Sequence, residues 1–468
     1  MPNTTASEAP AQRSRSKYRN YGSKPNNNRF HSSRPQREHF EPKATQEPSG
    51  PRIVATEFVD LGVNEGLAAK LGSMQIMHPS PIQALAIPAA LTKEDLIGIA
   101  QTGTGKTLAF GLPMLMNLTG NGQGLVLAPT RELAMQIEDT FRKLGVRTAL
   151  LIGGAPMNRQ IQQIRSTPRV IIATPGRLQD HLKQRTTDLR GIQCVVLDEA
   201  DRMLDMGFIN AIREILSTTP KSRQTMLFSA TFPRIVEEIA SDFMTNPDRV
   251  EIKRETLTNE NISQELIVVD QEAKAEVLAA LLKKNHGTVL VFARTRHGAR
   301  KIAQSINRQG HTAAEIHSDR TLAQRINALN GFKSGTFRVL VATDIAARGI
   351  DVKDISLVIN YDIPECADDY VHRIGRTGRA GKMGRAITIV NPSQHRDVRD
   401  IEKLISMKIP VSADSTLQLP EWQPRPPGQS GKQRRFSPGG NRGGKRFGNN
   451  GGGNGNSNGG GGNRGGRW

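Results

Sequence analysis

The acidic segment Asp198-Glu199-Ala200-Asp201 follows directly on the apolar run Cys194-Val195-Val196-Leu197. An unbroken apolar run closed by charge reads as a buried parallel strand. The carboxyl ends of such strands are where open α/β sheets bind ligands. Upstream, a second apolar stretch, Leu96-Ile97-Gly98-Ile99, runs into Ala100-Gln101-Thr102-Gly103-Thr104-Gly105-Lys106-Thr107. That is the pattern of a glycine-rich loop opening a helix and cradling phosphate with backbone N–H groups, with Ala100 where the strict pattern has glycine. In such a loop the Lys meets the β/γ-phosphates and the Thr hydroxyl meets Mg²⁺, while an acidic strand end holds the metal and positions the attacking water. Each segment alone has a plainer reading, as a strand–helix connection or a helix cap. In this order within one βα series they imply a nucleotide triphosphatase.

Short apolar strands alternate with amphipathic helical stretches on both sides of these segments. The first half offers strands at Leu96–Ala100, Leu125–Pro129, Ala149–Ile152, Val170–Thr174, Cys194–Leu197 and Thr225–Ser229, which predicts a doubly wound parallel sheet. A polar interval over 251–262 interrupts the series. It restarts with Thr288–Ala293, Ala313–Ile316, Arg338–Ala342, Leu357–Ile359 and Ala386–Ile389, giving a second α/β domain without a phosphate loop of its own. The expected division is a basic extension over 1–55, domain 1 over 56–250, a linker over 251–262, domain 2 over 263–412, and a Pro-rich then Gly/Asn/Arg-rich tail over 413–468. The composition of both ends is too polar to bury a core, so disorder is expected there.

Charge is concentrated at the ends. Residues 1–50 hold 9 Lys/Arg against 4 Asp/Glu, and residues 424–468 hold 9 against none, leaving about +6 of the formal +20 for the body. Basic arms of this kind suit a polyanionic partner, with improved solubility as the plainer alternative. Two cysteines, Cys194 and Cys366, form no disulfide framework or zinc site in a chain of 468 residues, which fits a reducing compartment. The N-terminus shows no apolar leader and no stretch is long enough to span a bilayer, so neither secretion nor membrane insertion is expected.

The ordered motifs resemble those of the DEAD-box family of ATP-dependent RNA helicases over nearly all of 56–412. They are Pro79-Ser80-Pro81-Ile82-Gln83, the phosphate loop, Pro129-Thr130-Arg131-Glu132-Leu133, Gly153-Gly154, Thr174-Pro175-Gly176-Arg177, Asp198–Asp201, Ser229-Ala230-Thr231, the run from Val341 to Asp351, and His372-Arg373-Ile374-Gly375-Arg376-Thr377-Gly378-Arg379. The resemblance implies two tandem RecA-like domains with parallel sheets, an ATP-hydrolysing enzyme, and ATP, Mg²⁺ and RNA as its ligands. It implies catalytic roles for Lys106, Asp198 and Glu199, with Arg376 and Arg379 meeting the γ-phosphate charge from domain 2. Nucleotide binding falls on Phe58, Gln83, Gln101, Thr102, Gly103, Thr104, Gly105, Lys106, Thr107 and Asp351, and the metal on Thr107 and Asp198. Thr130, Arg131, Gly154, Thr174, Arg177, Thr343 and Arg348 are implied to hold the RNA sugar-phosphate backbone, contacts that carry no base sequence. Ser229, Thr231 and His372 are implied to couple the nucleotide state to RNA.

Two departures from the family pattern stand out. Gln75 and Ile76 occupy positions where glycine and an aromatic precede Pro79, and Leu322 stands where a Gln is usual. The expected activity is RNA-stimulated ATP hydrolysis coupled to local unwinding, because the site is complete only when the domains close. An ATP-gated RNA clamp and tail-driven RNA annealing are the alternatives, and a DNA translocase is disfavoured by the Gln83 motif. The core is expected to be a monomer, with any protein partners on the tails, and the modest size resembles bacterial members of the family, which implies the cytoplasm.

Overall fold

A computed structural model describes residues 57–419 apart from 102, 253–260, 348–351, 353–354 and 379–382. The tails, Thr102, Arg348, Asp351 and Arg379 therefore lie outside the described residues. Within them the apolar runs become strands because every side chain in them is covered: Val170–Ala173, Val289–Phe292 and Val339–Ala342 are buried at each position. Strands with helices on both faces have no polar side to present.

In chain order the first sheet contains β1 (Leu96–Ile99), β2 (Gln123–Leu127), β3 (Thr148–Leu151), β4 (Val170–Ala173), β5 (Ile192–Asp198), β6 (Gln224–Ser229) and β7 (Asp248–Glu251). The second contains β8 (Ile262–Val268), β9 (Val289–Phe292), β10 (Ala313–Ile316), β11 (Val339–Ala342), β12 (Leu357–Asn360) and β13 (Gly384–Val390). The spatial orders are β3-β4-β2-β5-β6-β1-β7 and β10-β11-β9-β12-β13-β8. The pairings within both sheets are parallel. Each sheet has an apolar cluster on either face. Leu125, Leu197 and Leu227 face one way in the first sheet while Val126, Val196 and Phe228 face the other.

Register decides where the chemistry falls. Ile99 stands opposite Ser229, Asp198 opposite Phe228, and Leu127 opposite both Leu197 and Ala173. The loops after β1, β2, β4, β5 and β6 thus leave the sheet at one edge, at the strand ends where α/β proteins bind ligands. In the second sheet Ala342 pairs with Phe292 and Ile316, so Thr343 and His317 emerge together.

Two strands depart from the sequence expectation. β7 is the charged sequence Asp248-Arg249-Val250-Glu251, half-buried at each position on the edge beside β1, so it carries no apolar signal. β8 begins at Ile262 and alternates buried with exposed residues through Ser263 and Gln264 before turning apolar. Glu251 and Ile262, the ends of the expected linker, are therefore strand residues.

The two sheets meet through side chains. Arg325, on the helix Leu322–Lys333, places Nη2 2.7 Å from Glu132 Oε2 on the helix Arg131–Lys143. Leu322 packs against the apolar cluster of the first sheet. Among the described residues no helix is long and apolar enough to cross a membrane.

Candidate functional site

The phosphate loop owes its shape to glycine. Gly103 and Gly105 adopt φ values of +86° and +94°, open to glycine without strain. A Cβ on Gly105 would stand 2.4 Å from Gln83 Nε2. Gly105 caps the helix Lys106–Asn117, whose first N–H groups face the loop and make a site for anions. Lys106 is buried and donates from Nζ to the Ala100 carbonyl at 3.1 Å. The Thr104 hydroxyl donates to Gln101 O at 2.7 Å, Gln101 is exposed, and Thr107 is half-buried on the first turn.

Gln83 ties this loop to the helix Pro81–Leu91. Its Oε1 accepts from Ser80 N–H at 2.8 Å and its Nε2 donates to Gly105 O at 2.9 Å. One proton and one lone pair of the amide remain for a base edge. Phe58, by contrast, is buried in a cluster with Leu71, Ile87, Leu108 and Leu112, against which Ile76 also packs. Phe58 is core here and turns no aromatic face outward, while Ile76 is half-buried at the edge of the cluster.

The acidic strand end is tightly organised. Asp198, 2 % exposed, accepts from the Glu199 N–H at 3.0 Å. Burial pushes its carboxyl up to about 7, with Glu199 and Asp201 adding to the rise and Lys106 and the Glu199 N–H opposing it. Glu199 holds φ +52° and ψ +52°, a left-handed conformation that strains a residue with a Cβ and that gathers at functional sites. Its Oε2 has no hydrogen-bond partner among the described residues. Asp201 is fully engaged with β6 and the loop after it. Its N–H donates to Ser229 Oγ at 3.2 Å, and its Oδ2 accepts from Thr231 N–H and Oγ1–H at 3.0 and 2.8 Å. The two motifs expected to communicate are therefore joined through one carboxylate.

Along the same edge lie the residues expected at the nucleic acid. Thr130 and Thr174 precede helices, and the Thr130 hydroxyl accepts from Leu133 N–H at 3.2 Å as an N-cap. The Arg131 guanidinium lies close against Gly153 and Gly154, and a Cβ on Gly154, at φ +81°, would stand 2.7 Å from Arg131 Nη1. Arg177 reaches Ala155 O at 3.4 Å. Burial, then the nearby Arg325 and Arg177, pull Arg131 below the usual arginine value against the pull of Glu132. Crowded guanidinium groups beside backbone at a strand end form a surface suited to phosphate.

From the second sheet, Thr343 N–H donates to Ile316 O at 3.3 Å. The helix Ala367–Ile374 is pinned by Arg373, which grips Asp344 at 2.5 and 2.6 Å, donates to Asp362 O at 2.6 Å and lies 5.0 Å over the Phe292 ring. His372 is half-buried, and its carbonyl accepts from Arg376 Nε at 3.2 Å. The same helix approaches the acidic strand end, with Asp369 Oδ1 3.6 Å from Arg202 Nη1. Sequence reasoning assigned nothing to Arg202, Asp369, Arg325 or the Arg373–Asp344 pair. Their helices, such as Ala367-Asp368-Asp369-Tyr370-Val371-His372-Arg373-Ile374, mix charged with apolar residues and give no local sign of which charges are buried in pairs.

Thr107 and Asp198 offer oxygen donors, the kind Mg²⁺ takes. That ion usually keeps waters and phosphate oxygens and needs few protein ligands. Among the described residues no group of three His, Cys, Asp or Glu is arranged to hold a metal by itself. The pair fits an ion that arrives with a nucleotide.

The chain matches the family signature "DEAD/DEAH box helicase" over residues 80–239 and "Helicase conserved C-terminal domain" over 273–381. It is 44% identical over 362 residues to the DEAD-box ATP-dependent RNA helicase CshA of Bacillus cereus, covering 76% of this chain and 69% of the relative. The Bacillus subtilis protein of that name is 42% identical over 368 residues, 77% and 74% of the two chains. Among solved structures, S. cerevisiae Dbp5 bound to RNA and ADP BeF3 superposes with a TM-score of 0.70 at 31% identity, covering 76% of this chain and 96% of that one. Mss116p bound to ssRNA and AMP-PNP gives 0.70 at 26% identity, over 76% and 79%.

Proposed function

The chain belongs to the DEAD-box family of ATP-dependent RNA helicases, and from there we propose how its own residues divide the work. The loop Gln101–Thr107 binds the ATP phosphates, with Lys106 turning from Ala100 O to the β/γ-phosphates. Asp351 and the free side of the Gln83 amide hold the nucleoside. Mg²⁺, held by Thr107 and Asp198, supplies neutralisation of the phosphate charge. Glu199 orients a water and accepts its proton as the water oxygen bonds to the γ-phosphorus and the bond to the β–γ bridging oxygen breaks. Arg376 and Arg379 meet the charge spreading over the γ-phosphoryl oxygens, each at a cost of roughly 10³–10⁵ in turnover if removed as an arginine finger.

RNA lies across Thr130, Arg131, Gly154, Thr174 and Arg177 of the first domain and Thr343 and Arg348 of the second. It is held by its backbone and told from DNA by 2′-OH contacts and shape. Ser229, Thr231 and His372 relay between the two ligands. The domains divide between Glu251, the last residue of β7, and Ile262, the first of β8, the core acts as a monomer in the cytoplasm, and the basic tails tether RNA or protein partners. The relatives bound to RNA with a nucleotide analogue support both ligands.

One observation carries this reading most directly. Lys106, Asp198, Glu199 and the Asp201–Thr231 bonds share one sheet edge, and a second-domain helix bearing His372 reaches that edge through Asp369. A site assembled from two domains hydrolyses ATP only when something holds them together. The buried Glu132–Arg325 pair beside Leu322 also favours a closed state of some persistence, which suits clamping of RNA between cycles.

Substituting Glu199→Gln tests the assignment. ATP and RNA should still bind while turnover falls, leaving a long-lived ternary complex in a filter-binding or gel-shift assay. Hydrolysis at the unsubstituted rate would remove Glu199 from the role of base.

A further inference from the structure

Arg202 is 2 % exposed, one of the largest side chains so completely enclosed. A buried guanidinium is costly unless its charge and donors are met. Here they are met only loosely. Nε lies 3.9 Å from Glu199 Oε2, and Nη1 lies 3.6 Å from Asp369 Oδ1, separations of ion pairs rather than hydrogen bonds. Among the described residues Arg202 Nη2 and Glu199 Oε2 both lack a hydrogen-bond partner. Two complementary buried groups left just out of bonding range are poised to join on a small displacement.

The surroundings give that displacement a source. Arg202 lies on the helix Ala200–Asp205, which Glu199 caps, and its Nε is 3.9 Å from the Glu199 carboxylate three residues earlier. The neighbouring carboxylates are otherwise occupied, Asp198 with the Glu199 N–H and Asp201 with Ser229 and Thr231. Asp369 comes from the second domain, on a helix held rigidly by Arg373 and Asp344. A shift of that helix moves Asp369, Asp369 moves the guanidinium, and the guanidinium bears on the Glu199 carboxylate.

We propose that Arg202 is a positioning residue, which takes its place from Asp369 when the second domain docks and in turn sets where the Glu199 carboxylate points. The inference rests on Glu199 acting on the attacking water. It gives domain closure a second effect besides delivering Arg376: the base itself is aimed by the partner domain.

The test is steady-state ATP hydrolysis by the full chain at saturating single-stranded RNA. It uses Arg202→Gln, Arg202→Lys, Asp369→Asn, the double variant Arg202→Gln/Asp369→Asn, and Glu199→Gln as reference. Misplacing a reacting group by about 1 Å costs about 10²-fold, so Arg202→Gln should lower kcat by about that factor. KM for ATP should stay within about twofold, because the effect is on the transition state and not on uniform binding. Arg202→Lys should recover most of the loss, and Asp369→Asn should cost about tenfold. The double variant should be no slower than Arg202→Gln alone, since both act through one contact.

Multiplying effects in the double variant, or full kcat in Arg202→Gln, would overturn the inference. If the buried Arg202→Gln change prevents folding, Asp369→Asn carries the test, and a wild-type kcat there overturns it. Full turnover in Glu199→Gln would instead overturn the assignment of the base, which separates the two failures.

Discussion

Asp198→Asn should stabilise the metal-free protein while abolishing its turnover. Burial pushes the Asp198 carboxyl from 3.8 up to about 7. At ~1.4 kcal/mol per pH unit, the ionised form costs the fold about 4 kcal/mol as an upper figure. A carboxyl whose folded value exceeds its unfolded one binds more proton when folded between those values, so stability falls as pH rises from about 4 to about 7 and is level above. Asn is neutral throughout and keeps an oxygen to accept from the Glu199 N–H, so it avoids this cost. Urea midpoints followed by circular dichroism, in EDTA and without nucleotide, should show the variant more stable by about 2–4 kcal/mol at pH 8. The gap should narrow below pH 7 and close near pH 4, and Mg²⁺ with nucleotide should narrow it at pH 8 by binding the wild type more tightly than the variant. A gap independent of pH, or a variant less stable at pH 8, would refute the reasoning.

Gln75 closes the helix Glu65–Ser73 at φ +60°, with Gln75 N–H on Gly72 O at 2.9 Å and Ile76 N–H on Leu71 O at 3.0 Å, the bonding of a Schellman cap. Gln75→Gly should therefore raise stability by about 0.5–1 kcal/mol, read as a higher urea midpoint, and a lower midpoint would count against the cap. Glu132→Gln leaves the Arg325 charge buried without its partner, which destabilises a buried pair by about 3–5 kcal/mol. Fluorescence energy transfer between labels on the two domains should then report a more open population, restored in part by Arg325→Met on the same chain. Deleting 424–468 removes 9 positive charges. It should leave the maximal ATPase rate unchanged while weakening RNA affinity, with the log–log salt slope falling by about 0.7 for every phosphate that the tail neutralises in the full chain. Equal slopes for the two chains would show the tail to be inert toward RNA.

The sheets were legible where the strands are buried on both faces. Val170–Ala173 and Val339–Ala342 announce themselves because nothing polar is tolerated there. β7 escaped because an edge strand tolerates Asp248, Arg249 and Glu251, and β8 because Ser263 and Gln264 break its apolar pattern. The phosphate loop and the acidic strand end could be read because short-range spacing sets them. Pairs such as Arg202–Asp369, 167 residues apart in number, depend on how two domains dock, which no local period encodes. Phe58 shows the opposite limit. The family resemblance alone puts it near a base, while its ring packs with Leu71 and Leu108 in the core. Gln75 shows how a departure from pattern is absorbed, by accepting backbone strain at a helix end.

Displacement of one strand from a short RNA duplex, followed together with phosphate release, bears most directly on a two-domain ATPase that opens RNA. The wild-type chain should separate the strands only with ATP, RNA should accelerate phosphate release, and Lys106→Ala should do neither. Strand separation of equal extent without ATP, or phosphate release indifferent to RNA, would contradict it.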